Sequence, residues 1–144
     1  MPKPISISDE TRSKLITAAQ QARQKAYAPY SHYLVGAALL TSNGELYLGC
    51  NIENAAYSPT ICAERVAIFK AVSEGIQNFD AIAIVTANGS APCGVCRQVM
   101  QEFGQEMVVI VANAEGQVTF EGPLTELLPR GFGPDQLQQD HATP

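Results

Sequence analysis

Two cysteine clusters constrain this chain most: Cys62-Ala63-Glu64 and, about thirty residues further on, Pro92-Cys93-Gly94-Val95-Cys96. A structural zinc site closes with four protein ligands, whereas a catalytic one keeps three and leaves a fourth position open. Cys93 and Cys96 are one helical turn apart, so both sulfurs can face one metal. Cys62 must reach that metal from a separate segment, so the fold has to bring the starts of two segments together.

The hydrophobic pattern supplies such a fold. Val66 and Phe69, with Ala63, Ala67 and Val72, recur at helical spacing from Cys62 to Glu74, and Gly75 is a natural stop. Ala81 to Ala87 reads as a buried strand, Gly94 to Phe103 as a short helix ended by Gly104, and Met107 to Ala112 as another buried strand. A strand, a crossover helix and a strand imply a parallel pair. Upstream, Ser8 caps a predicted helix over 9–26, with Asp9 and Glu10 at its positive end and Pro29 beyond it. Val35 to Thr41 and Glu45 to Cys50 form a hairpin across Ser42-Asn43-Gly44. A last strand is predicted near Gln117 to Phe120, followed by a short helix from Pro123 to Leu128.

With 144 residues and no internal repeat or linker, the chain is expected to be one domain, with about 1–8 and 137–144 loosely ordered. Charged residues make up only 16 % of it against 46 % hydrophobic, a balance that fits partial covering by partner subunits. The net charge of −5 argues against a nucleic-acid partner, which calls for a basic footprint, and favours a small neutral ligand. No apolar run has signal-peptide or membrane-spanning length, so no membrane is expected, and thiolate ligands suit a reducing cytoplasm.

In this reading Cys62 and Cys93 stand at helix starts, where unpaired N–H groups and the helix dipole favour thiolates. Glu64 lies two residues after Cys62, about 200° round the helix at about 100° per residue, and so stands beside a metal rather than on it. There it can act as a general base toward water. Three thiolates on one dication leave net negative charge, and Arg65, followed by the Arg97-Gln98 pair, offers donors to sulfur around the ligands. Competing uses of the same residues are a redox Cys-x-x-Cys pair and a closed four-thiolate site with Cys50 as fourth ligand. Neither His32 nor His141 receives a role.

Ala26-Tyr-Ala-Pro-Tyr-Ser31, Val35-Gly-Ala-Ala-Leu39, Gly49-Cys-Asn-Ile-Glu-Asn-Ala-Ala-Tyr-Ser58, Cys62-Ala-Glu-Arg65 and Pro92-Cys-Gly-Val-Cys-Arg-Gln-Val99 together resemble the small, homotetrameric cytidine deaminases. The resemblance spans nearly the whole chain. It implies an α/β fold, a three-layer α/β/α sandwich around a mixed, roughly five-stranded sheet. It also implies hydrolysis of cytidine and deoxycytidine to uridine and deoxyuridine with release of ammonia, as in pyrimidine salvage, with one Zn2+ per chain held by Cys62, Cys93 and Cys96. By the same resemblance Glu64 shuttles protons between water, the ring N3 and the departing amine.

For the substrate, the resemblance implies that Asn51 and Glu53 hold the ribose, that the Ala63 backbone meets the base, and that Tyr33 packs on the pyrimidine where relatives commonly carry phenylalanine. Tyr57 and Phe132 are then expected to serve a neighbouring subunit's site, in a homotetramer with shared sites. Arg65 and Gln98 are the expected donors around the thiolates. Ala91, where relatives frequently carry serine, is expected to matter little because the contact there is backbone.

Overall fold

The computed structural model describes residues 5–139. In chain order the elements are α1 (Asp9–Arg23), β1 (Gly36–Thr41), β2 (Leu46–Cys50), α2 (Ala63–Ser73), β3 (Phe79–Val85), α3 (Gly94–Phe103), β4 (Val108–Ala112), β5 (Val118–Pro123), α4 (Leu124–Leu127) and α5 (Pro134–Gln139). The five strands form one sheet in the order β2-β1-β3-β4-β5. β1 is antiparallel to both β2 and β3, β3 is parallel to β4, and β5 returns antiparallel along β4.

Alternation along the central strands builds two cores, because successive side chains leave a strand on opposite faces. Ala37, Leu39, Ile82, Ile84, Val109 and Val111 face one way, against Ala67 and Ile68 of α2, Cys96 and Met100 of α3, and Leu124. Ala38, Ala81, Ala83, Ile110 and Ala112 face the other, against Leu15, Ile16 and Ala19 of α1. The result is the expected three-layer α/β/α arrangement. Since β3 and β4 are covered on both faces, β4 and the part of β3 after Asp80 read as unbroken apolar runs.

Two glycines allow the helices to dock. A Cβ on Gly36 would lie 2.0 Å from the Ala19 carbonyl oxygen of α1, and one on Gly49 would lie 2.2 Å from the Ala63 carbonyl oxygen of α2. Gly44, at φ +88°, closes the β1–β2 hairpin at the predicted Asn-Gly turn.

Some boundaries differ from the sequence expectation for local reasons. The first helix ends at Arg23, not at 26, because Lys25 and Ala26 donate to Ala22 and Arg23, tightening the chain into three-residue turns. Thr41 pairs with Phe79 across a register shift in β1, so β3 starts at Phe79. Ile5 and Ile7 pack against the α1-side core. In the polar tail α5 forms where no helix was expected: Pro134 occupies its first turn, and Gln136 Oε1 accepts the Gly133 N–H at 2.7 Å. His141 lies outside the described residues.

The register decides where a site can form. Gly36 pairs with Cys50 on one side and Val85 on the other, and Val85 pairs with Ala112. The C-terminal ends of β2 and β3 therefore flank the start of β1 at one edge of the sheet. Three connections leave this edge: 30–35, 51–62 and 86–93.

Candidate metal centre and substrate cleft

Both clusters sit where those connections become helices. Cys62 is the N-cap of α2 and Cys93 the N-cap of α3, and neither uses its side chain as a cap. Cys96 lies in the first turn of α3, fully buried. The three sulfurs all lie within 4.8 Å of one another, and Cys62 Sγ and Cys93 Sγ are 3.8 Å apart. A disulfide needs about 2.05 Å between sulfurs. Tetrahedral Zn–S bonds of about 2.3 Å set neighbouring sulfurs about 3.8 Å apart, which is what this pair shows. Cys50, on β2, is not part of the group, so among the described residues the set has three members and the four-thiolate reading fails.

The electrostatics suit a cation. The Cys62 thiol is lowered to about 5 by the hydrogen bond from Cys96 and then by Arg65, whose Nη2 donates to Cys62 Sγ at 3.4 Å. Cys96, as that donor, is pushed up. Glu64 is 3 % exposed. Its Oε1 is buried without a hydrogen-bond partner, and loss of hydration is the largest cause lifting its carboxyl to about 7. An orphaned carboxylate oxygen beside a thiolate cluster is an incomplete arrangement that a cation and its water fit. Glu64 is not in the metal-ligating group.

A cleft of about 300 Å³ opens over this cluster. Cys62, Glu64 and Cys93 form its floor, Ser31, Tyr33, Val35, Asn51 and Glu53 one wall, and Thr86, Ser90, Ala91 and Pro92 the other. Its volume is at the lower end for a small-molecule pocket. Among the described residues that line it there is no lysine or arginine.

Asn51 and Glu53 stand in the cleft but are already engaged. Asn51 Oδ1 accepts the Val35 N–H at 2.9 Å, and its Nδ2 donates to the Tyr33 carbonyl at 2.8 Å. Glu53 Oε1 accepts the Tyr30 and Ser31 N–H groups at 3.0 and 3.1 Å, and Oε2 accepts the Ser31 hydroxyl. The Ser31 hydroxyl is the main cause holding the Glu53 carboxyl below its ordinary value. Each side chain keeps capacity, since an amide offers two donors and two lone pairs and a carboxylate about four acceptor positions. The Tyr33 hydroxyl donates to Asn88 Oδ1 at 2.7 Å.

Other expected residues lie elsewhere. Ala63, first in α2, is buried in the core and does not line the cleft. Tyr57 is 73 % exposed, at φ +62°, edge-on to Tyr30, and Phe132 is 57 % exposed; neither lines the cleft of its own chain. Gln98 does not reach a sulfur. It is about 200° round α3 from Cys96, and its Nε2 donates to the Phe132 carbonyl at 2.8 Å. Arg97 likewise donates to the carbonyls of Pro92 and Leu127. Sequence reasoning missed Ser31 and the Thr86–Ser90 turn; the polar run Thr86-Ala-Asn-Gly-Ser90 after a buried strand was the available signal.

Residues 9–112 match the family model described as "Cytidine and deoxycytidylate deaminase zinc-binding region". The chain is similar to a cytidine deaminase of Sporosarcina psychrophila, 50 % identical over 127 residues that cover 86 % of this chain and 93 % of the relative. It is 44 % identical to a probable cytidine deaminase of Dictyostelium discoideum over 134 residues, 91 % of this chain and 90 % of the relative. Among solved structures, the cytidine deaminase from Burkholderia pseudomallei superposes with a TM-score of 0.80 at 45 % identity, covering 88 % of this chain and all of that one.

Proposed function

Because the chain belongs to the cytidine and deoxycytidylate deaminase zinc-binding family, we propose that it hydrolyses cytidine and deoxycytidine to uridine and deoxyuridine, consuming water and releasing ammonia. The observation that carries this reading is the buried, unpartnered Glu64 Oε1 on the floor of a cleft whose sulfurs fit one zinc ion. Zinc held by Cys62, Cys93 and Cys96 supplies Lewis-acid activation of water at neutral pH.

Glu64 does the proton work. Its Oε1, buried without a partner on the cleft floor, is free to take a proton and return it. Arg65 stabilises negative charge on Cys62. Glu53, held by Ser31 and the Tyr30 and Ser31 amides, presents a carboxylate that accepts a free sugar hydroxyl, with Asn51 beside it as the second polar group. The Tyr33 ring lines the wall against which a pyrimidine packs.

A cleft wall with a carboxylate and no cation favours the free nucleoside over its 5′-phosphate, and over nucleic acid. Tyr57 and Phe132, exposed and outside their own cleft, suit contribution to a neighbouring subunit's site in a homotetramer. None of the described helices is long and apolar enough to cross a membrane, and thiolate ligation suits a cytoplasmic setting.

The test is the ultraviolet change of cytidine mixed with zinc-loaded protein, with Glu64→Ala beside it and deoxycytidine 5′-monophosphate as a second substrate. Conversion of cytidine by the parent alone, with zinc retained in the variant, is expected. No conversion by zinc-loaded, folded parent overturns the proposal.

A further inference from the structure

We propose that the Tyr33 hydroxyl and Asn88 form a strap across the mouth of the cleft that sets its width, making both positioning residues for the nucleoside; this rests on the deaminase reading. Tyr33 belongs to the 30–35 segment on the Glu53 wall, and Asn88 to the turn after β3 that leads to Cys93. Their 2.7 Å bond, across 55 residues of sequence, is the one side-chain hydrogen bond among the described residues that joins these two segments.

Both ends are anchored. On the far side, Asn88 Oδ1 also accepts the Ser90 hydroxyl at 2.9 Å and the Thr86 hydroxyl at 3.3 Å, and Thr86 Oγ1 accepts the Ser90 N–H at 3.0 Å. On the near side, the Tyr33 N–H donates to Ser31 Oγ at 3.0 Å, and that hydroxyl donates to Glu53. Hydrogen bonds at the two ends of Tyr33, its N–H and its hydroxyl, thus connect the Glu53 carboxylate through Ser31 and Asn88 to Ser90, three residues before Cys93.

Two consequences follow from the geometry. The Tyr33 hydroxyl has given its only proton to Asn88, so what the side chain still offers a ligand is its ring and an acceptor oxygen, on a residue tied to the opposite turn. Moving the wall that carries Glu53 away from the turn that leads to Cys93 requires breaking this bond. The strap therefore acts on how the substrate is seated and not on the proton transfer at Glu64. Its loss is read in KM, with kcat preserved.

The experiment compares Tyr33→Phe, Asn88→Ala, the double variant and Asn88→Asp, which keeps the acceptor oxygen, in zinc-loaded protein with cytidine. A neutral hydrogen bond is worth roughly a three- to tenfold rise in KM. That rise is expected for each of the first two variants, with kcat within about twofold of the parent. The double variant should be no worse than Asn88→Ala, which already removes the bond that Tyr33→Phe removes together with those from Thr86 and Ser90, and Asn88→Asp should stay near the parent. Amide hydrogen exchange in 86–91 should be faster in Tyr33→Phe. An unchanged KM in Tyr33→Phe, or effects that multiply in the double variant, overturns the strap. If the parent does not turn over cytidine, the deaminase reading fails separately, and equal exchange rates in parent and Tyr33→Phe then overturn the strap by themselves.

Discussion

Arg65 and Ser31 show how single side chains prepare charge at this site. Arg65 Nη2 donates to Cys62 Sγ, and its Nε is buried without a partner, so the guanidinium is committed to the sulfur cluster at a cost in hydration. Arg65→Gln should raise the Cys62 thiol and loosen the metal; groups that support ligands are worth about 10- to 100-fold in affinity. Zinc transfer to a competing chelator, followed with a colorimetric indicator, measures this, and unchanged retention would remove Arg65 from the site. Ser31 works on Glu53, whose carboxyl is held below its ordinary value chiefly by the Ser31 hydroxyl. A lowered acid remains ionised as pH falls and loses its charge, with the loop contacts that depend on it, only below its ordinary value. KM for cytidine should therefore rise on acidification once Glu53 loses its charge. In Ser31→Ala the rise should begin at higher pH, and superimposable profiles would count against this role for Glu53.

At the scale of elements, the site depends on how closely helices approach the sheet. Cys62 and Cys93 meet because α2 and α3 start at neighbouring positions on one sheet edge, and α2 lies tight on β2 because Gly49 has no Cβ. Adding a methyl there places it 2.2 Å from a backbone oxygen and 2.7 Å from the Ala67 nitrogen, neither of which can swing aside. Gly49→Ala should destabilise the protein by about 3 kcal/mol, the upper part of the usual range for overpacking. Denaturant unfolding reads this directly. Because the displaced helix carries Cys62, the variant should also bind zinc less tightly. A neutral effect on both would show that α2 can shift without disturbing the thiols.

For the molecule as a whole, the question is what covers the exposed aromatics. Phe132 is held outward by the chain itself: its carbonyl accepts from Gln98, and Gly131 packs where a Cβ would lie 2.9 Å from the Gln101 side chain. If it completes a neighbour's cleft, Phe132→Ala should raise KM about tenfold or more and shift sedimentation toward smaller species at low protein concentration, while far-ultraviolet circular dichroism stays unchanged. A monomeric parent of full activity would end that reading. Much of the fold was legible beforehand because its signals are local. The apolar runs of β3 and β4, the Asn43-Gly44 turn and the helix starting at Gly94 each depend on neighbours a few residues away. The three thiols and the adjacent carboxylate were legible for the same reason: ligand chemistry is written in residue type and spacing. Which way Gln98 turns, what Asn51 binds, how deeply Glu64 is buried and that Tyr33 reaches Asn88 were decided only by tertiary structure. Periodicity tells which face of an element is apolar, but hydrogen-bond partners 16 to 55 residues apart are chosen by strand order and register, which exist only once the sheet has closed.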